Sequence, residues 1–298
     1  MTRFLSLICP IDFSDASRGA LSHAAAIADH FGADITVLTV VDPFVAAISA
    51  AEPTTTTVER ETEQALKRFC EDTLAHMAPG PRGLRLRYAI GTPALEILRE
   101  AHESNADLIV MSSHGRQGIR KMVFGSTTER VLRETHVPVL ITPASRTTAL
   151  PLSELAGQIR EVVAPLDLTT FSTRQLKVAA AIADAAGVPL ALTHVVKPDI
   201  AAHGHRQHLS KLQASVTPRV PTECLLLSGE PAEEIVKLAA SRHANLIVMG
   251  LHSSGILGPR MGSVTYRVLS TTDAFVLALP PHAAVPVVHA ALVQSSMA

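Results

Sequence analysis

Tryptophan is absent from the 298 residues, and aromatic side chains make up only 3%. A surface that stacks nucleic-acid bases needs several such rings, so that class of binder is excluded. No charge of one sign dominates, because 26 Lys and Arg stand against 27 Asp and Glu. That balance provides no field to draw in a nucleic acid or an anionic membrane. Cysteine is scarce: Cys9, Cys70 and Cys224 are widely spaced and odd in number. They match no zinc spacing and no redox pair, which points to a reducing cytoplasm. There is no run of 18 apolar residues to span a membrane. In the opening MTRFLSLICPID, the apolar run meets Asp12 too early for a secretory signal, and no small-residue cleavage site follows. It reads as a buried strand. Missing as well are G-x-x-x-x-G-K-[ST], a G-x-G-x-x-G after a strand, and H-E-x-x-H. Their absence removes the usual phosphate-transfer, dinucleotide and zinc-protease signatures.

What is present is a globular composition, 47% hydrophobic and 18% charged, on a chain long enough for about two domains. Sliding the halves over each other exposes a repeat. LICPIDFSDAS aligns with VVAPLDLTTFS, so that Pro10 and Asp12 fall on Pro165 and Asp167 at an offset of 155. ITVLTVVDP aligns with LALTHVVKP at the same offset. AIGTPALEIL then aligns with LSGEPAEEIV, and ADLIVMSSH with ANLIVMGLH, at an offset of 138. The second copy is therefore 17 residues shorter, all lost between its second and third strands.

Each copy alternates apolar strands with helices, which predicts a parallel sheet covered on both faces. In the first copy the strands are expected at Phe4 to Cys9, Ile35 to Val40, Leu84 to Ile90, Leu108 to Met111 and Val137 to Ile141. A helix at Ala16 to Phe31 has Ser14 or Asp15 as its cap. A second, at Val58 to Met77, places Val58, Ala65, Leu66, Phe69 and Met77 on one face. Thr92-Pro93 opens a third. The second copy has a shorter second helix around His205 to Val216. The expected boundaries are 1–143 for the first domain, 144–158 for a linker, 159–280 for the second domain, and 281–298 for a tail of unread role.

Ligands of open α/β sheets bind at the carboxyl ends of the strands. Two related loops leave the fourth strands there. MSSHGRQGIRKMVFGSTTERVL begins at Met111, and MGLHSSGILGPRMGSVTYRVL begins at Met249. Each leads to a Gly-Ser pair and a helix, at Ser126-Thr127 and Ser263-Val264. A helix start offers free N–H groups and partial positive charge to phosphates. Asp12 and Asp167 lie at the same edge and would accept from a base amino group or a ribose hydroxyl. Arg116, Arg120 and Lys121 add positive charge to the first loop, and Arg260 alone to the second.

These residues resemble the universal stress protein family in its tandem form. The family motif is Gly, two residues, Gly, nine residues, then Gly with Ser or Thr. The first copy has Ser112, Gly115, nine residues and Gly125-Ser126. The second has Gly250, Ser253, eight residues and Gly262-Ser263, with Pro259 inside the loop. The resemblance implies two tandem, doubly wound, five-stranded parallel-sheet domains of Rossmann-like type. It also implies that they pack as an intramolecular pseudo-dimer through VPVLIT and AFVLAL, with a further homodimer open to the whole chain. It implies a stress-response regulator binding ATP or a related adenine nucleotide, with Mg only as the companion of the phosphates. The implied site comprises Pro10, Asp12, Val40, Met111, Ser112, Gly115, Arg116, Gly125, Ser126 and Thr127. A weaker counterpart comprises Pro165, Asp167, Val195, Gly250, Gly262, Ser263 and Val264. No catalytic base accompanies either loop, so no catalytic residue is assigned. A slow ATPase and a nucleotide-free interaction module stay open as rival readings.

Several residues carry plainer readings too. Ser126-Thr-Thr-Glu129 matches a helix capping box. Asp12 has a plainer reading as a cap of the first helix. At Ser112, a turn with positive φ would cost about 1 kcal/mol. His203, His205 and His208 match no closed zinc site and read as a solvated loop.

Overall fold

The computed structural model describes residues 6–50, 56–75, 77, 81, 83–114, 125–145, 159–197, 202–251 and 262–281. The chain divides into two compact units, drawn from residues 3–152 and 153–298. The linker from 146 to 158 and the tail from 282 lie outside the described residues.

The first unit is built from β1 (Ser6–Ile11), α1 (Asp15–Phe31), β2 (Asp34–Val41), α2 (Pro43–Ala50), α3 (Thr56–Leu74), β3 (Gly83–Ile90), α4 (Pro93–Glu103), β4 (Leu108–Ser112), α5 (Ser126–Glu134) and β5 (Val139–Thr142). Its strands are parallel in the order β3-β2-β1-β4-β5. The second unit repeats the plan with β6 (Val162–Pro165), α6 (Ser172–Ala186), β7 (Leu190–Val196), α7 (Ala202–Gln213), β8 (Thr222–Ser228), α8 (Pro231–Ser241), β9 (Leu246–Gly250), α9 (Ser263–Thr271) and β10 (Phe275–Leu279). Its order is β8-β7-β6-β9-β10, again parallel.

Helix α1 shows why this sequence folds so. Ser14 is its N-cap and accepts from the Ser17 N–H. Its buried stripe of Ala20, Leu21, Ala24, Ala25 and Ala28 lies against β1 and β4. Small side chains let the helix approach the sheet closely. Gly32, at φ 62°, then closes it by donating to Asp29 O. That left-handed conformation carries no penalty in glycine. Gly187, at φ 65°, ends α6 in the same way. The repeat reaches the backbone of non-glycine residues too. Phe13 and Leu168 both take positive φ, as do Asn105 and His243.

Three expectations need correcting. A helix absent from the reading, α2, follows β2, and it exposes Phe44 and Val45. The buried face of α3 is Leu66, Phe69, Cys70 and Thr73, whereas Ala65 is exposed. Last, β3 is not covered on both faces. It lies at the end of the strand order, with Leu84 and Leu86 exposed and Arg85 paired to Asp34. An end strand has one neighbour, so charge along it also discourages pairing with other chains.

The cysteines are far apart in sequence, but Cys70 in α3 comes close enough to Cys9 in β1 to act on its thiol. Burial raises the Cys9 thiol pKa, and nearby Cys70 adds to the effect. Burial, reinforced by Glu71, pushes Cys70 up to about 12. The thiolate is the reactive form. At neutral pH a thiol reagent should therefore label the native protein slowly, and at the half-buried Cys224 alone. All three should react in denaturant. Rapid native labelling of Cys9, read by peptide mass, would contradict its place in the core.

Candidate functional site

The carboxyl edge of the first sheet opens between β1 and β4. Their register pairs Leu7 with Leu108 and Ile8 with Ile109, and goes no further. Both strands nevertheless continue, β1 alongside β2 as far as Ile11 and β4 alongside β5 as far as Ser112. In this order β1 is where chain progression reverses, the position at which open α/β sheets hold ligands. Pro10 lies on one side of the split and Met111 on the other, with Val40 at the end of β2.

Asp12 stands just beyond β1, half-buried. Its carboxylate accepts from the Ser14 N–H at 3.1 Å and the Ser14 hydroxyl at 2.6 Å. It therefore does not cap α1. It holds the residue that does, which fixes the carboxylate at the rim.

On the other side, Ser112 ends β4 in extended backbone, and its hydroxyl donates to His114 O. It is not among the residues with positive φ, so the anticipated conformational cost does not arise. Gly125 returns the chain to the sheet by donating to Ser113 O at 3.1 Å. The buried Thr128 hydroxyl reaches back to Ser112 O at 3.1 Å. Together these bonds pin the start of α5 against the end of β4.

The capping box is absent. Gly125, not Ser126, is the N-cap, and no side chain bonds the helix start. Glu129 turns instead to Arg133, at 2.6 Å. Those residues are four apart and share a helix face, so the ion pair takes the carboxylate that the box would need. The N–H groups of Ser126 and Thr127 thus begin a helix without side-chain capping. Such a start suits an anionic oxygen. The residues described in this unit fit an adenine nucleotide: an acceptor on one lip, and an uncapped helix start entered through glycine on the other. Gly115 and Arg116 lie outside the described residues.

The second unit places the counterparts similarly and fills the gap between them. Its register pairs Val162 with Leu246 and Val163 with Ile247, then stops. Pro165 is next to face β9, and proline has no N–H to give Val248 O. Gln175 supplies one. Its side-chain nitrogen donates to Val248 O at 2.8 Å and to Pro165 O at 2.7 Å, and the residue is buried. Ala20 occupies the equivalent place in α1 and has nothing to donate.

Asp167 is exposed, and it accepts from the Thr169 N–H and hydroxyl and from the Ser172 hydroxyl. Beside Val195, His194 donates from Nδ1 to Leu166 O at 2.7 Å. Thr39 is its counterpart in the first unit. Gly250 ends β9, Gly262 is the N-cap of α9, and Ser263 and Val264 begin that helix. His252, Ser253, Pro259 and Arg260 lie outside the described residues. No sequence motif signalled Gln175 or His194. A glutamine replacing alanine in register, and a histidine within an apolar strand, were the available hints.

The family model for universal stress proteins matches residues 4–143 and again 158–280. The chain belongs to the universal stress protein family. Universal stress protein MJ0531 of Methanocaldococcus jannaschii is 35% identical over 144 residues, covering 46% of this chain and 81% of its own length. Universal stress protein YxiE of Bacillus subtilis is 30% identical over 145 residues, covering 46% and 98%. Each relative therefore has about the size of one copy of this tandem protein. Among solved structures, a universal stress protein from Archaeoglobus fulgidus aligns over 93% of this chain and 98% of its own, with TM-score 0.63 and 21% identity. A functionally unknown protein from Pseudomonas aeruginosa aligns over 98% and 97%, with TM-score 0.65 and 17% identity. At those identities the likeness is one of fold. No described helix of this universal stress protein is long and apolar enough to cross a membrane.

Proposed function

We propose that the protein is a stress-response regulator that binds ATP or a related adenine nucleotide in its first unit, without efficient turnover. The observation that supports this most is the split between β1 and β4, with Asp12 on one lip and the uncapped start of α5 on the other. The base and ribose lie toward Asp12, Val40 and Met111, and the phosphates toward Gly125, Ser126 and Thr127. The described site contains no general base positioned to activate water, and positioning without activation gives binding. The second unit is the weaker partner, because Gln175 already bridges its gap.

Denaturing freshly purified protein and chromatographing the supernatant tests the proposal. Adenine nucleotide near one equivalent is expected. Its absence, together with no heat on titration with ATP, would reject the reading. Asp12→Ala should weaken binding by about 5- to 150-fold, the value of a hydrogen bond to a charged group at ~1–3 kcal/mol. It should also lower stability by about 1 kcal/mol through loss of support for the Ser14 cap. Reduced stability with unchanged affinity would leave Asp12 a structural residue only.

A further inference from the structure

The second unit holds a group of side chains that the nucleotide reading does not use. His194 sits near the end of β7, half-buried, and His205 sits on α7 above it. Nε2 of His194 lies 3.0 Å from Nδ1 of His205, with the rings within 11° of parallel. The Leu166 carbonyl at Nδ1 requires the His194 hydrogen there. Nε2 is therefore a lone pair aimed at the second ring, and His205 Nδ1 is the donor between them. Histidines that hold metals are oriented in this way, with the non-ligating N–H given to a carbonyl. Two nitrogens held by bonds of about 2.0–2.1 Å lie about 2.9 Å apart at a right angle and about 3.3 Å apart in a tetrahedron, and the observed 3.0 Å falls between these. Asp167 and His208 are the other titratable groups acting on His194. The carboxylate would offset the charge of a cation held there.

We infer that His194 and His205 form an open seat for one borderline divalent ion, of the zinc, nickel or copper class, tying the end of β7 to α7. Imidazole nitrogens suit those metals, whereas magnesium and calcium prefer oxygen. Among the described residues no group of three His, Cys, Asp or Glu side chains encloses an ion, so water completes the coordination. When the ion binds, the hydrogen bond between the rings opens, the rings turn so that Nε2 of His194 and Nδ1 of His205 converge on the ion, and the His205 hydrogen passes to its Nε2. The pair stays neutral and no net proton is released. The seat does not depend on whether the protein binds a nucleotide. It also corrects the reading of His203, His205 and His208 as a solvated loop, because all three lie on α7 and His205 is tied to a strand.

The test is calorimetric titration of the full chain with zinc chloride, and separately nickel chloride, at pH 7.5. Thermal melts with and without the ion accompany it. One ion per chain is expected, with a raised melting temperature. His194→Gln and His205→Gln should each weaken binding by at least about tenfold and remove the thermal shift. His203→Gln, on the exposed side of α7, should change neither. Binding should also weaken as the pH is lowered, because an imidazole must be neutral to hold a metal. His205 lies on the outer element, so His205→Gln gives the same reading if His194→Gln fails to fold. No saturable binding would overturn the inference. So would binding that survives His194→Gln and His205→Gln and is lost with His203→Gln, which would be chelation by surface histidines.

Discussion

Replacing Gln175 by Ala should destabilise the second unit by about 2–4 kcal/mol, a large change for a residue that touches no ligand. Its side-chain nitrogen serves two backbone carbonyls, Pro165 O and Val248 O, at a rung where proline breaks the ladder. Removing it leaves two acceptors without their donor in a site where Gln175 is only 4% exposed. Each buried group stripped of its partner costs about 1–3 kcal/mol, and the vacated volume adds to that. Gln175→Glu separates hydrogen bonding from packing. Its shape is the same, but a carboxylate cannot donate, so at neutral pH it should be at least as damaging as Ala. The cost should shrink at acid pH, where a protonated Glu regains one O–H. Denaturant unfolding followed by hydrogen exchange in β6 and β9 would report both. A loss under about 0.5 kcal/mol for both variants would show that the clasp contributes nothing.

The second large effect is expected at Gly125. A Cβ there would lie 3.4 Å from Ser113 O, 3.6 Å from Thr128 Oγ1 and 3.8 Å from His114 Cα. Alanine therefore fits, though closely. The backbone, at φ −62° and ψ 130°, is one that valine adopts without strain. The branched methyls of Gly125→Val must then press on the Thr128–Ser112 bond or project over the start of α5. Either displaces the N–H groups proposed to meet phosphate. Affinity for ATP should fall by at least about 100-fold, roughly 3 kcal/mol, while the fold persists. Gly262→Val should leave ATP binding as it was. Retention of affinity within threefold in Gly125→Val would remove the helix start from the site.

The fold was legible because the signals recur. Two copies of Pro-x-Asp, two Thr/Glu-Pro helix starts and two apolar fourth strands fall in register, and each copy checks the other. The edge at which open α/β sheets hold ligands was indicated by the alternation of strands and helices. The capping box misled because its three-residue offset also recurs along a helical face. With Gly125 as the cap, Glu129 sits one residue too far along and meets Arg133 instead. Gln175 was illegible for another reason. Its partners are backbone carbonyls, one of them 73 residues away, and no side-chain pattern encodes them. His194 was hidden within a strand that reads as apolar, and its partner His205 lies in the segment where the two copies differ in length. Exposure of β3 had a signal in the sequence, because Arg85 and Arg87 alternate along it while β1 and β4 carry no charge.

The central claim is that two copies of one fold make one working nucleotide site. Calorimetric titration of the whole chain with ATP tests it most directly. The account predicts a stoichiometry near one per chain, with binding lost in Gly125→Val and unaffected in Gly262→Val. Two equivalent sites per chain, or binding lost only with Gly262→Val, would contradict it.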